Sequence, residues 1–159
     1  MSSARSFLVG LLLMAFCGLA SAEDFTAVPK LRIEASVEGA SKEDMQVSFR
    51  VINISKEPVK IYNISTPWGA RVNTIVAAVT KKSQRPLNGA GYAPETFFPL
   101  VEHVVQPGEF LSGSLPLTEL IDQVSLRRSK EDIVFFWHYT AKGTRGEPLG
   151  EYGGWLSVR

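Results

Sequence analysis

The side chains best suited to chemistry are few. Two histidines, His103 and His138, stand 35 positions apart, with Glu102 beside the first. A zinc site needs three or four nitrogen, sulfur or oxygen ligands converging at roughly 2.0–2.3 Å, and this trio has the right donor types. Nothing in the spacing forces the convergence. Two ordinary strand histidines are the simpler expectation, and neither a metal nor a cofactor is assigned. Ser112-Gly113-Ser114 lacks the glycine-flanked serine of a nucleophile elbow and falls in a strand-like run. Asn88-Gly89-Ala90-Gly91 leads into Tyr and Pro, not into the helix start that a phosphate cradle requires. Glu102, Glu109, Glu119, Asp122, Glu131 and Asp132 mostly flank turns, where solvated carboxylates are ordinary. A non-enzymatic protein is expected, with a small metal-dependent hydrolase using His103 and His138 as the alternative.

Binding chemistry is better represented. Trp68 sits in Pro67-Trp68-Gly69-Ala70-Arg71, and Tyr92 lies between Gly91 and Ala93-Pro94 in a 15-residue irregular stretch, Lys81 to Glu95. The last loop, Lys142 to Gly154, adds Arg145. Long loops in compact domains are often functional, and Trp, Tyr and Arg anchor interfaces by combining area with a polar handle. Trp68, Arg71, Tyr92 and Arg145 are therefore the candidate contacts. For the two aromatics the competing role is packing, with Trp68 as a lid on the core and Tyr92 as a plug. A second candidate surface is Ile133 to Thr140 (IVFFWHYT), apolar on both faces. One face carries Ile133, Phe135, Trp137 and Tyr139; the other carries Val134, Phe136, His138 and Thr140. A sandwich sheet offers only one face to its core. The segment Thr118 to Val124 is expected to cover Val134 and Phe136 as a short helix. An uncovered apolar patch would instead mark an association site.

The elements that position these residues alternate with a period of two. Leu31, Ile33, Ala35 and Val37 alternate with Arg32, Glu34, Ser36 and Glu38, and Met45 to Val51 alternates likewise after the turn residues Gly39 to Asp44. Ser55-Lys56-Glu57-Pro58 breaks the second run before a third, Val59 to Ile64, and these short spacings predict hairpins. Val72 to Thr80 is rich in β-branched residues and reads as strand in preference to helix. Phe97 to Val105 is extended, with Pro99 marking an edge or bulge. Gln106-Pro107-Gly108-Glu109 has the order of a type II turn. Phe110 to Leu117 follows as strand. Thr118 to Val124 makes one or two helical turns with Thr118 as N-cap, and Ile133 to Thr140 and Glu151 to Val158 complete the set. This predicts an all-β antiparallel sandwich of seven or eight strands with one short helix.

Size and charge agree. The chain has 159 residues, 45% of them hydrophobic and 21% charged, enough for one domain and too apolar for disorder. Seventeen Lys+Arg against 16 Asp+Glu offer no bulk attraction to nucleic acid or anionic lipid. Residues 1–22 combine Arg5, the apolar run Phe7 to Phe16 and small residues ending at Ala20 and Ala22, the layout of a cleavable signal peptide. The apolar run is about half the ~20 residues a spanning helix needs, so no stable membrane insertion is expected after processing. Cys17 is the only cysteine, and Phe16 before it disfavours lipidation. Residues 23–159 then form one cysteine-free domain, suited to a bacterial periplasm more than to a disulfide-forming secretory route. Asn53-Ile54-Ser55 and Asn63-Ile64-Ser65 match the glycosylation triplet by chance, since both asparagines fall inside or at the end of strand-like runs.

The run Val47 to Ile61 (VSFRVINISKEPVKI), Pro107-Gly108-Glu109 and the aromatic penultimate strand together resemble small bacterial immunoglobulin-like sandwiches of proteinase-inhibitor type. The resemblance touches about half of residues 23–159 and rests on turn chemistry, so it implies fold and transfers no inhibitory residue. With it, the expected protein is a periplasmic or secreted protein-binding module, of inhibitor or immunity type, acting through loops at one end of an immunoglobulin-like sandwich. A carbohydrate or envelope-assembly module, with Trp68 and Tyr92 stacking on a sugar, is the other alternative.

Overall fold

The computed structural model describes residues 29–42, 44–69, 74–90 and 99–158. The signal-like segment 1–22, Arg71 and Tyr92 lie outside these residues. The described chain is an all-β antiparallel sandwich, as expected, with nine strands rather than seven or eight and two short helices rather than one.

β1 (Leu31–Glu38), β2 (Gln46–Asn53) and β7 (Phe110–Pro116) form one sheet in the order β1-β2-β7. β4 (Thr74–Thr80), β5 (Pro86–Leu87), β8 (Ile133–Lys142) and β9 (Pro148–Val158) form the other in the order β5-β4-β8-β9. β3 (Val59–Tyr62) and β6 (Glu102–Val105) make a separate two-stranded ribbon. The alternation read from the sequence sets the inner faces. Val47, Phe49 and Val51 of β2 and Ile133, Phe135, Trp137 and Tyr139 of β8 are all buried. The sheets meet where Phe49 and Trp137 pack edge to face, with ring centroids 5.6 Å apart and planes at 86°. Burying each such aromatic is worth roughly 1.5–3 kcal/mol.

Two local expectations need correction. β2 and β3 are not a hairpin: β2 pairs with β1 and β7, whereas β3 pairs with β6. The cause is Asn53, fully buried at the end of β2. Its Nδ2 donates to the carbonyls of Glu57 and Val105, each at 2.8 Å. Its Oδ1 accepts from the Ser55 N–H at 2.9 Å and from the Ser55 hydroxyl at 2.7 Å. One side chain thus satisfies the break 54–58 and ties it to β6. Its burial also leaves no room for a glycan. Opposite it, Gln106 to Glu109 turns as predicted, with Gly108 at φ 81° and Glu109 N–H donating to Gln106 at 3.0 Å.

The helical connection is the second correction. α1 (Leu117–Leu120) has Pro116 at its N-cap and no side-chain cap, so Thr118 lies inside the helix. The side-chain cap belongs to α2 (Gln123–Arg128), where Asp122 accepts from Ser125 N–H at 2.8 Å. Leu117, Leu120, Ile121 and Leu126 are buried in the core, so these helices plug the sandwich and do not lie on its outside.

Tyr139 is buried and its hydroxyl donates to Ser65 carbonyl at 2.7 Å. Burial raises its ionisation above the ordinary tyrosine value, reinforced by Tyr152 nearby. Burial also raises that of Tyr152, whose hydroxyl accepts from Leu31 N–H at 3.1 Å. The unfolded chain ionises these phenols at about pH 10, and burial holds them neutral to higher pH in the folded chain. Urea denaturation should show stability level up to about pH 10 and falling above it, with Tyr139→Phe weakening the alkaline fall. Asn53→Ala should cost about 2–4 kcal/mol in the same assay, because two buried carbonyls lose their donors.

Candidate functional site

Of the four candidate contacts, only Trp68 and Arg145 fall among the described residues. Trp68 is partly buried and packs against the core. Its indole lies over Gly113 of β7, where a Cβ would come within 2.4 Å of the ring. A glycine in mid-strand signals such close backbone approach, and Ser112-Gly113-Ser114 carries that signal. Arg145 is exposed in the β8–β9 turn, where its backbone N–H donates to Glu147 Oε2 at 3.0 Å. It borders a hollow of about 520 Å³ shared with Lys30, Glu57, Lys60, Tyr62 and Glu102. Lys60 is paired there with Glu102 at 2.9 Å, so Arg145 and Lys30 supply the cationic groups not matched in that pair.

The histidines are on different sheets. His103 of β6 faces Ile61 in register, whereas His138 of β8 lies between Ile75 and Gly153. Among the described residues no group of three or more His, Cys, Asp or Glu is placed to hold a metal ion. His138 Nε2 instead lies 3.7 Å from Glu151 Oε2.

The feature that stands out is the outer face of the β5-β4-β8-β9 sheet. The segment Thr118 to Val124 is expected to cover Phe136 and does not: Phe136 is 48% exposed. Val134 is partly buried. In register, Ala77 of β4, Phe136 of β8 and Trp155 of β9 form one row across the strands. Trp155 is 65% exposed, and Ile75, two residues along β4 from Ala77, is 67% exposed. Val79, Val134 and Ser157 make the adjacent row, and His138 with Glu151 marks the polar end. Period-two geometry explains the patch. Residues one position away from each of these, Ala78, Phe135 and Leu156, point to the core, where they are buried or packed against it. Ile75 and Trp155 are not among the residues singled out from the sequence, which lie in loops and on the strand Ile133 to Thr140. The signal for them was present: both alternate with core residues in strands whose outer neighbours are otherwise small.

The opposite outer face differs in kind. Over β1-β2-β7 a hollow of about 540 Å³ is floored by Ser36, Ser48, Ser112 and Ser114. Arg50 stands at its side, bonded to Glu34 at 3.2 Å and lying 4.0 Å over the Phe110 ring. Such a surface offers hydroxyl and charged groups to a polar ligand. The first outer face offers apolar area, which water leaves readily and which drives association.

The chain matches no protein-family model, and no curated protein shows significant similarity to it.

Truncation separates the two faces of β8. Phe135→Ala or Trp137→Ala should cost about 3–5 kcal/mol, as buried aromatics do. Phe136→Ser and Trp155→Ser should each stay within roughly 1 kcal/mol of wild type by denaturant titration, as exposed substitutions do.

Proposed function

We propose that this chain is an exported, non-enzymatic protein-binding module, and that its principal contact is the outer face of the four-stranded sheet. The observation that carries this is the uncovered row around Phe136 and Trp155, with Ile75 beside it. Large exposed apolar side chains set contiguously on a rigid sheet are the composition of an interface centre, with polar groups at the rim. His138 and Glu151 supply such a rim at one end. The partner is a protein presenting a flat, apolar surface. Arg145, exposed in the β8–β9 turn, is a further contact for an acidic group. Residues 1–22 support export, and the lack of cysteine in residues 23–159 fits the periplasm. In this proposal an inhibitor or immunity-type role works by covering an enzyme's surface with the sheet, and Trp68 is a structural lid.

A carbohydrate-binding role is favoured by one separate observation, the serine-floored hollow over β1-β2-β7 with Arg50 and Glu34 beside it. Soluble oligosaccharides perturbing the amide signals of Ser48 and Ser114, and not those of Phe136, would support that role over the protein partner.

For the leading proposal, wild type immobilised in periplasmic extract should retain a protein that the double variant Ile75→Ser, Phe136→Ser retains about tenfold less, the effect of losing roughly 1.4 kcal/mol or more of contact. The purified retained protein should reproduce the difference in a titration. Equal retention by a double variant that melts like wild type would overturn it.

A further inference from the structure

The charge balance of the whole chain conceals a basic pole. Residues 23–159 carry 16 Lys and Arg against 16 Asp and Glu. At one end of the sandwich the β4–β5 turn and the chain between α2 and β8 lie side by side. Lys81 N–H donates to the Asp132 carbonyl at 2.7 Å, and the Lys42 ammonium reaches the Ser129 and Glu131 carbonyls. The turn exposes Lys81, Lys82 and Arg85, and the adjoining segment exposes Arg127, Arg128 and Lys130. Against these six cations the two segments hold two half-buried carboxylates, and both are engaged. Asp132 Oδ2 lies 3.7 Å from Lys81 Nζ. Glu131 Oε2 accepts from the Lys82 and Ser83 N–H groups at 3.2 and 2.9 Å, and the Ser83 N–H holds its carboxyl below the usual carboxylate range. Among the described residues Arg85, Arg128 and Lys130 have no ion-pair partner. The turn is also fixed in shape: the buried Thr80 hydroxyl accepts from Arg85 N–H at 2.9 Å, and Gln84 closes the turn at φ 52°.

We propose that this pole docks the protein on an anionic phospholipid surface, by charge and without insertion. Each Lys or Arg near such a surface strengthens binding roughly fivefold, so several acting together hold a peripheral protein there. Composition favours lipid over an acidic protein. An interface between proteins is anchored by aromatic and apolar side chains at its centre, and residues 81–85 and 127–130 contain none. A bilayer surface asks only for a density of positive charge, which the two segments supply. Lys81 follows β4 and Asp132 precedes β8, so the pole lies at the end of the four-stranded sheet and not on its outer face. Docking there does not occupy the row around Phe136 and Trp155.

The test is sedimentation of the purified processed chain with vesicles. Vesicles of equal parts phosphatidylglycerol and phosphatidylethanolamine should carry the wild type down at low salt, and phosphatidylcholine vesicles should not. Salt on the order of 1 M, which shortens the screening length to about 3 Å, should release it. Lys82→Glu combined with Lys130→Glu should weaken binding about tenfold or more. Lys30→Glu combined with Lys56→Glu makes the same change in net charge away from the pole and should keep most of the binding. All four positions are exposed, so both double variants should keep the far-ultraviolet spectrum of wild type. A wild type that stays in the supernatant, or two double variants that weaken binding equally, overturns the proposal. Capture by soluble polyglutamate without vesicle binding also overturns it, and would mark the pole as a contact for an acidic protein. Each of these results leaves the protein contact at Phe136 and Ile75 standing, because that is read separately with the Ile75→Ser, Phe136→Ser variant.

Discussion

A strand in a two-layer sandwich can give only one of its faces to the core, and β8 is apolar on both. Much of the structure can be traced to how that conflict is resolved. The heavier face, Ile133, Phe135, Trp137 and Tyr139, goes inward and meets β2 through the Phe49–Trp137 contact. The lighter face, Val134 and Phe136, goes outward and takes its neighbours on β4 and β9 with it. No disulfide holds the layers together, because residues 23–159 contain no cysteine. The buried core around the inner aromatic face therefore has to carry stability without a covalent tie. The outer face contributes little to the fold and is available for association.

The polar parts of the molecule serve that division. Asn53 gathers the end of β2, the break before β3 and the end of β6 into one buried hydrogen-bonded node, which lets the chain leave one sheet without stranding carbonyl groups. Tyr139 and Tyr152 do similar work at the β8–β9 side, each placing a hydroxyl on backbone that a strand ladder does not reach. At the other end, Lys42 donates to the carbonyls of Ser129 and Glu131 and pins the β1–β2 turn to the start of β8. These ties fix the ends of the sandwich and leave the flat outer face of the four-stranded sheet unencumbered.

Strand positions were legible because a half-buried strand writes its burial directly into alternation. The inner and outer residues of β1, β2 and β8 follow from their sequence. Pairing was less legible. The short break at Ser55 to Pro58 suggests a hairpin, but a buried asparagine can redirect the chain just as a turn does, and local composition does not separate the two. The helical segment shows the same limit. Its leucines declare that it buries a face, not which surface receives it, and they fill the end of the core instead of covering Phe136. The candidate site was read in part. The two-faced character of Ile133 to Thr140 was visible, whereas Trp155 and Ile75 became neighbours of Phe136 only through registers set by long-range pairing. Trp68 illustrates the converse: residue type marked it as an interface anchor, and the bare backbone at Gly113 places its ring against the core.

Everything turns on β8 burying one apolar face and leaving the other in water. Hydroxyl-radical footprinting of the purified chain, read by mass spectrometry at single residues, measures that division side chain by side chain. The account predicts strong oxidation of Phe136 and Ile75 alongside protection of Phe135 and Tyr139. Equal protection of Phe136 and Phe135 in the isolated chain would contradict it, since the outer face would then be part of the protein's own interior.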